Sequence, residues 1–275
     1  MRPQEGGQGS KFAASVHVAD KWRKRLRMSQ TKAFKMAAYT NLILAIPHST
    51  GEFDSSLWSD PELVRRDARL WTDWHTDRLF SLDGITDSRI RRLIGSVSRF
   101  DCDLERLEDD PLESEGQGRL YRLSHSGATR ATIPPERAAA WLSLWAEWRV
   151  AARYFSLDCQ RPLLIDCHSF PSAFAPDVDF CIGFNDDATR PPDEVLAIVR
   201  DVIEASGYRV TFNIPYSNAL APDGLRGHSL MIEVNKARYM DEKTLQPLDG
   251  STSSGDSWNR ATDTLREVYS ALLGA

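Results

Sequence analysis

From Tyr39 onward the chain alternates short apolar runs with longer amphipathic segments, and this alternation constrains the fold more than any other feature. Short apolar runs are typical of buried strands, whereas a 3.6-residue apolar period is typical of helices. Strands and helices that alternate along a chain predict an α/β protein in which helices cover a sheet. Because no Pro/Ser-rich linker divides residues 39–275, we expect them to form a single domain.

Seven strands and four helices are predicted on this basis. The strands are expected at residues 41–46, 95–102, 119–124, 162–167, 180–183, 209–213 and 229–235. The helices are expected at residues 60–80, 135–158, 192–206 and 257–273. In open α/β sheets the binding crevice lies beyond the strand ends, so polar residues that follow these strands are the first candidates for function.

Residues 1–38 differ from the remainder in charge. Their first 35 positions hold nine basic and two acidic residues, and glycines occur near the start. We interpret this segment as a poorly ordered basic arm. An upstream start codon or a solvated helix is favoured over a tether to nucleic acid or to a membrane.

Composition excludes several classes of protein. The formal net charge of the whole chain is -5 and its pI is about 5.7, so no nucleic-acid partner is expected. No apolar run approaches the roughly 20 residues that span a bilayer, and no secretory signal is recognisable. The four cysteines have no Cys-x-x-Cys spacing and are expected to be buried and reduced, which predicts a cytoplasmic protein.

Polar residues end three of the apolar strands. His48 follows the first strand, His168 ends the strand that begins at Pro162, and Glu233 lies near the end of a later strand. Two imidazoles and a carboxylate, with a fourth position left for water, are the ligands of a mononuclear zinc hydrolase. Each residue alone has an ordinary structural explanation, such as an ion pair between Glu233 and Lys236, but their joint occurrence favours a metal site.

Eight short blocks, taken together and in order, resemble the N-formylglutamate amidohydrolase family. They are Ile-Pro-His-Ser at 46–49, Thr-Asp-Trp-His-Thr-Asp-Arg-Leu at 72–79, Ser-Arg-Phe-Asp-Cys-Asp-Leu-Glu-Arg at 98–106, Gly-Gln-Gly at 116–118, Ile-Asp-Cys-His-Ser at 165–169, Asp-Phe-Cys-Ile-Gly at 179–183, Asn-Ile-Pro-Tyr at 213–216 and Ser-Leu-Met-Ile-Glu-Val-Asn-Lys at 229–236. One block would be a poor signature, but the ordered set is specific and covers about residues 40–245.

The resemblance implies a fold and an activity. The implied fold is a three-layer α/β/α arrangement with a mixed central sheet, similar to zinc carboxypeptidases and to phosphorylase/hydrolase-like proteins. The implied reaction is metal-dependent hydrolysis of the amide of an N-acyl acidic amino acid such as N-formyl-L-glutamate, in one catalytic domain over residues 39–275. One Zn²⁺ per chain is expected, although another divalent metal would serve, and the implied partner is a small acidic amide or a short peptide.

The resemblance also implies roles for individual residues. His48 and His168 would be metal ligands, and Glu233 would be the general base that activates water. Carboxypeptidases place a glutamate three residues after the first histidine, but Gly51 stands there in this chain. The block that contains Asp73 is a recurrent feature of the family, so the resemblance favours Asp73 as the third ligand, with Glu52 as the first alternative and Asp77 as the second.

Basic and polar residues are expected to bind the substrate. Guanidinium groups grip carboxylates through two charge-assisted hydrogen bonds. Arg99 and Arg106 resemble the family's Ser-Arg and Glu-Arg positions, which implies that Arg99 steadies an oxyanion or a carboxylate and that Arg106 binds substrate. An internal lattice of salt bridges is the alternative for both arginines, with Asp101, Asp103, Glu105 and Asp110 as the acidic partners. Four further residues complete the predicted substrate site: Ser169, Asn213, Tyr216 and Arg226.

Two alternatives to this enzyme stay open. The protein could be a metal-free binding or regulatory relative of the family, or it could be a carboxypeptidase or amidase that acts on small peptides. Three further histidines, His17, His75 and His125, are not expected to bind metal. His75 lies two residues after Asp73 on a predicted helix, so the two side chains cannot share a face, and His125 beside a Ser-Gly turn is expected to be solvated.

Overall fold

The computed structural model describes residues 39–82, 86–249 and 257–274, and the arm predicted for residues 1–38 lies outside them. Its centre is a six-stranded sheet in the order β2-β1-β3-β6-β4-β5. The strands of this sheet are β1 (Asn41–Ile46), β2 (Ile90–Ile94), β3 (Pro162–Phe170), β4 (Phe180–Gly183), β5 (Val210–Phe212) and β6 (His228–Asn235). A separate pair consists of β7 (Met240–Asp241) and β8 (Gln246–Pro247).

Strand direction in the sheet changes once. β2, β1, β3 and β6 are parallel to their neighbours, whereas β4 pairs antiparallel with β6 and parallel with β5. Strands buried on both faces are rich in apolar residues without alternation, and β1 and β3 have this character because helices cover both faces. The sheet is therefore mixed, as predicted.

Five α-helices lie within the described part of the chain. They are α1 (Pro61–Trp71), α2 (Thr76–Ser81), α3 (Pro135–Leu157), α4 (Asp193–Ala205) and α5 (Ser257–Leu273). α2, α4 and α5 bury their apolar faces with Leu44, Ile165 and Ile232 on one side of the sheet. α3 packs through Trp148 and Ala152 against Ala45 and Leu164 on the other side. The three-layer α/β/α prediction is confirmed.

Several predicted elements differ from the structure. The helix expected over residues 60–80 is two helices, α1 and α2, separated at residues 72–75. Residues 95–102 and 119–124 form no strand of the sheet, because their backbone groups bond within an irregular segment, as in the 2.8 Å bond from the Asp103 amide to the Arg119 carbonyl. The edge strand β2 lies just before the first of these segments.

The period of two along the strands places the candidate residues on one face. In β3, Leu163 and Ile165 point toward α4 and α5, so Asp166 and His168 point to the opposite face. His168 is paired in register with Glu233 of β6. The parallel strands β1, β3 and β6 therefore bring His48, His168 and Glu233 together at the carboxyl ends of the strands.

None of the helices in the described residues is both long enough and apolar enough to cross a membrane.

Candidate metal and catalytic site

His48 is fully buried just after β1, and its ring is oriented by an aspartate. Its Nε2 donates a 2.8 Å hydrogen bond to Asp103 Oδ1, and Asp103 has no exposed surface. Its Nδ1 is buried and has no hydrogen-bond partner among the described residues. Metal-binding histidines donate from one ring nitrogen to a carboxylate and bind the metal through the other. In His48 the outer nitrogen, Nε2, bonds to the carboxylate, and the inner nitrogen, Nδ1, is free for a metal.

His168 repeats this arrangement on β3. Its Nε2 lies 2.9 Å from Oδ1 of the fully buried Asp166, and its Nδ1 lies 3.0 Å from Asp73 Oδ2. Burial alone would lower the pKa of His168, but the charges of Asp166 and Glu105 and the bonds to the aspartates raise it well above its ordinary value. Because Asp166 fixes the outer nitrogen, Nδ1 faces inward toward Asp73.

Asp73 lies in the interruption between α1 and α2, beside both histidines. Its amide donates a 2.9 Å hydrogen bond to the His48 carbonyl, and its Oδ2 lies 3.7 Å from His48 Nδ1. Burial would raise its pKa, but hydrogen bonds and positive charge from His168 and His48 outweigh burial and hold the pKa well below its usual range. One carboxylate oxygen of Asp73 thus faces the inner nitrogens of two histidines.

Glu105 is a second carboxylate at the same place. Its Oε2 lies 3.8 Å from His48 Nδ1, and its Oε1 lies 3.8 Å from His168 Nε2. One ligand atom from each of His48, Glu105 and His168 lies within 4.8 Å of the others, close enough to hold one metal ion. The two histidines therefore have two candidate carboxylate partners, Asp73 and Glu105.

The donor set fits a tetrahedral metal ion such as zinc. Ligands 2.0–2.1 Å from such an ion lie about 3.3 Å from one another. The distances from Asp73 Oδ2 to the two Nδ1 atoms, 3.0 and 3.7 Å, lie on either side of that value. The free, buried Nδ1 of His48 also lacks any partner within the described chain that a metal ion would have to displace.

Glu233 on β6 lines the same pocket as Asp73, Glu105 and His168. We call these three residues, together with His48, the cradle. Its side chain is 7% exposed, and its Oε2 is buried without a hydrogen-bond partner in the described chain. Burial, only partly opposed by His168, raises the pKa of Glu233 to about 8. A carboxylate that holds its proton near neutral pH has the acidity that general acid–base catalysis requires.

Asp103 links the cradle to Arg99 and Arg106. Its Oδ2 accepts hydrogen bonds from Arg99 Nη2 at 3.3 Å and from the Tyr121 hydroxyl at 3.2 Å, and it lies 3.6 Å from Arg106 Nε. Burial would raise the pKa of Asp103, but the charges of His48, Arg99 and Arg106 hold it well below its usual range. The salt-bridge lattice considered from the sequence is therefore present.

The same two arginines also line a pocket of about 210 Å³ in front of the cradle. Its chemically active wall contains Asp73, Glu105, His168 and Glu233, and Ser169 and Tyr216 line it as well. Ser169 Oγ donates a 3.3 Å hydrogen bond to Asp73 Oδ1. Both arginines can therefore meet a ligand while they remain paired with Asp103.

Four residues considered from the sequence lie elsewhere. Asn213 accepts a 2.9 Å hydrogen bond from the Phe184 amide through its side chain and is not among the pocket residues. Arg226 precedes β6 and lines a different cavity, at the opposite edge of the sheet. Glu52 is exposed and Asp77 lies in the first turn of α2, and neither lines the pocket.

Sequence reasoning did not single out Asp166, considered Glu105 only as a salt-bridge partner of the arginines, and placed His125 in solvent. Asp166 stands two residues before His168 on the same strand face, a spacing that could have identified it as the partner of that ring. Glu105 and His125 lie in the irregular segment between β2 and α3, where no periodicity indicates which side chains point inward. His125 in fact lines the pocket.

Comparisons with known proteins agree with this architecture. A family model described as N-formylglutamate amidohydrolase matches residues 40–240. The structure is similar to that of N-formylglutamate amidohydrolase from Ralstonia eutropha JMP134, with a TM-score of 0.64 and 19% identity over 87% of this chain and 94% of that chain. It is also similar to a gene product of Agrobacterium tumefaciens, with a TM-score of 0.56 and 16% identity over 86% and 92% of the two chains. No curated protein matches the chain. At these identities the solved structures establish the fold.

Proposed function

Because the chain belongs to the N-formylglutamate amidohydrolase family, we propose that it hydrolyses the amide of an N-acyl acidic amino acid, such as N-formyl-L-glutamate, with the help of one bound Zn²⁺ or another divalent cation. The observation that carries the proposal is the paired orientation of His48 and His168. Each ring is fixed through Nε2 by a buried aspartate, and both Nδ1 atoms face one oxygen of Asp73. The family supports a hydrolase of a small amide, and the metal and the mechanism are the proposed part.

His48, His168 and Asp73 would hold the cation, with Glu105 as the competing carboxylate. A cation bound there supplies a Lewis acid that polarises the scissile carbonyl, lowers the pKa of a bound water and favours the ionised form of Glu233. In its ionised form, Glu233 accepts a proton from the attacking water and returns it to the leaving nitrogen. Arg99 and Arg106, which line the same pocket, bind a substrate carboxylate and support the developing oxyanion.

The substrate is positioned by groups that already have fixed places. Arg99 donates through Nη1 to the Trp71 carbonyl at 3.0 Å and through Nη2 to Asp103, so its guanidinium is held before substrate arrives. Ser169 and Tyr216 supply further hydroxyl groups along the wall. Groups that need no reorganisation favour reaction, because their ordering cost is met during folding.

A panel of N-acyl amino acids, assayed with and without a chelator, tests the proposal. The panel contains N-formyl-L-glutamate, N-acetyl-L-glutamate, N-formyl-L-glutamine and a short acidic peptide. We expect hydrolysis of the formyl acid to be lost with chelator and restored by zinc, with about one zinc per chain in the active protein. Chelator-insensitive hydrolysis would contradict the metal mechanism, and neither zinc binding nor turnover after zinc supplementation would favour the binding relative.

Replacement of Glu233 tests the base. Glu233→Gln keeps the shape of the side chain but cannot take up the proton, so kcat should fall roughly 100-fold or more while zinc content is retained. Glu52→Gln is the matched control, because Glu52 is an exposed glutamate outside the pocket and its loss should leave kcat unchanged. Full activity of Glu233→Gln would remove the assigned role.

A further inference from the structure

His125 has a fixed backbone and a fixed ring, although it lies in an irregular segment. The Gly127 amide bonds to the Ser124 carbonyl at 3.0 Å, which closes a tight turn around His125. The next residue, Ser126, donates to both oxygens of Asp67 on α1, through its amide at 2.9 Å and its hydroxyl at 2.5 Å. These bonds tie the turn to α1, so the position of the His125 backbone is set on both sides.

The imidazole of His125 is held by aromatic contacts. It stacks on Trp71 with ring centroids 4.3 Å apart and an interplanar angle of 16°, and it lies edge-on to Phe100 at 6.0 Å. Trp71 in turn accepts a hydrogen bond from Arg99 at its carbonyl. One residue thus contacts the His125 ring through its side chain and the Arg99 guanidinium through its backbone, and both groups line the pocket.

The nitrogens of this ring are not used for folding. His125 Nδ1 is buried without a partner, and no hydrogen bond engages Nε2 within the described residues, although the side chain lines the pocket. Burial, followed by the positive charge of Arg99, lowers the pKa of His125 to about 4. The ring is neutral at physiological pH and carries one N–H donor, which is free for a ligand.

We propose that His125 is a substrate-binding residue whose Nε2–H donates a hydrogen bond to the side-chain carboxylate of the substrate, the same carboxylate that Arg99 and Arg106 hold. This inference rests on the proposed function, since it concerns the acid part of an N-acyl amino acid. The two guanidinium groups already share Asp103 Oδ2, so a third donor that is not engaged with Asp103 strengthens the hold on a second carboxylate. Since Nδ1 is the inaccessible nitrogen, Nε2 is the atom that meets the ligand.

The proposal predicts a preference for acids over their amides. A carboxylate can accept bonds from all three donors at once, whereas a carboxamide offers one acceptor oxygen and brings an NH₂ group that repels the others. Loss of the His125 donor should therefore weaken binding of an acid more than binding of the matching amide. A merely structural role for His125 would weaken both equally.

Three variants separate the donor from the ring. His125→Phe keeps an aromatic ring on Trp71 but has no donor, His125→Gln places an amide N–H near the Nε2 position, and His125→Asn places it near the buried Nδ1 position. We expect His125→Phe and His125→Asn to raise KM for N-formyl-L-glutamate about tenfold or more with little change in kcat. His125→Gln should stay within about threefold of the wild type. KM for N-formyl-L-glutamine should change less than KM for the acid.

Binding of the dicarboxylate glutarate, measured by calorimetry on the zinc-loaded chain, distinguishes this proposal from the proposed function. Glutarate should bind the wild type and His125→Gln. Its affinity for His125→Phe and for His125→Asn should be at least about tenfold lower. If no amide is hydrolysed but this pattern holds, the proposed function fails and His125 keeps its role. Absence of glutarate binding to the wild type, equal binding to all variants, or an equal loss for acid and amide would overturn the proposal.

Discussion

Asp103 serves two groups of residues through different oxygens. Its Oδ1 accepts from His48, which lies in the metal cradle, and its Oδ2 faces Arg99, Arg106 and Tyr121, which belong to the substrate side. The orientation of the first histidine and the placement of the arginines therefore depend on one buried carboxylate. Asp166 orients one candidate metal ligand, His168, through Oδ1. Its Oδ2 accepts a 2.8 Å hydrogen bond from the Leu220 amide.

Replacement of these two aspartates should have different kinetic signatures. Asp103→Asn and Asp166→Asn should each lower zinc affinity roughly 10- to 100-fold, because the histidine ligand loses its orienting carboxylate. With zinc saturating, only Asp103→Asn should also raise KM, since the arginines lose their shared anion. Competition with a chromophoric chelator measures affinity, and steady-state kinetics measure KM. An unchanged KM in Asp103→Asn would contradict the conclusion that Asp103 holds both His48 and the substrate-binding arginines in place.

The third metal ligand can be identified by comparing Asp73→Asn with Glu105→Gln. Asp73 is 3% exposed and its Oδ2 faces both inner nitrogens, whereas the nearest imidazole nitrogens to Glu105 lie 3.8 Å away and one of them already bonds to Asp166. We therefore expect Asp73→Asn to lower zinc affinity more than Glu105→Gln. Equilibrium dialysis with zinc gives both affinities, and the reverse order would assign the ligand to Glu105.

At the scale of elements, the break between α1 and α2 depends on a distant lysine. Lys236, which follows β6, is 2% exposed and donates through Nζ to the carbonyls of Leu70 at 2.5 Å and Thr72 at 2.7 Å. These carbonyls lie at the end of α1, where backbone acceptors have no partner within the helix, and the Thr72 carbonyl is buried. Burial lowers the pKa of Lys236 to about 8. The break turns Asp73 toward the histidines.

Lys236→Met should therefore destabilise the protein and disturb the site. The buried Thr72 carbonyl and the partly buried Leu70 carbonyl lose their donor, and we expect the free energy of unfolding to fall by about 2–4 kcal/mol. Zinc affinity should fall as well, because Asp73 is less firmly placed. Urea unfolding followed by Trp fluorescence measures the first effect. Lys243→Met is the control, since Lys243 is exposed and should leave both quantities unchanged.

Local pattern accounts for most elements but not for this break. β1, β4 and α5 have the predicted bounds, because each is a clear apolar run or a clear helical period between strong boundaries. The predicted helix over residues 60–80 has helical character on both sides of residue 72. Its interruption is set by Lys236, more than 160 residues away, and no local pattern encodes such a contact.

The candidate site divides in the same way. His48, His168 and Glu233 end apolar runs, so their meeting at one sheet edge follows from strand order and could be predicted. Asp103, Glu105 and His125 lie in the segment between β2 and α3, whose path is set by scattered hydrogen bonds and by aromatic contacts such as that between His125 and Trp71. Sequence reasoning placed strands in part of that segment and therefore could not assign its side chains to the pocket.

At the scale of the whole molecule, the positive charge at the site contrasts with the negative net charge of the chain. With the arm's net charge of +7 removed, the remaining residues carry about -12. An acidic protein that binds an acidic substrate must concentrate positive charge locally. Arg99 and Arg106 supply that charge in the pocket, together with the proposed cation at His168 and Asp73, which line the same pocket.

The buried Glu233 should make the stability of the chelator-treated protein depend on pH. Its pKa is about 8 in the folded protein against an ordinary value of 4.5, so between these values the folded state binds more protons than the unfolded state. The stabilisation that Glu233 contributes is complete below pH 4.5 and is lost as pH rises through 8. The free energy of unfolding of the wild type, relative to Glu233→Gln, should therefore fall between pH 5 and pH 8.

Urea unfolding of both proteins at several pH values measures this difference. The comparison with Glu233→Gln removes the contribution of the neighbouring aspartates and histidines, to the extent that they are common to both proteins. Zinc should reduce the difference, since a nearby cation favours the ionised carboxylate. The raised pKa of Glu233 would be contradicted if the free energy of unfolding of the wild type changed with pH in parallel with that of the variant, or rose relative to it.

The position of β6 has a consequence for synthesis on the ribosome. β6 is the last of the six sheet strands along the chain, yet it lies between β3 and β4 in the sheet. Until residues 228–235 leave the exit tunnel, β3 and β4 each present an unpaired edge, and the nascent chain consists of two incomplete half-sheets. Chaperones would meet the growing polypeptide at these two edges, and translational pauses before β6 would prolong that exposure.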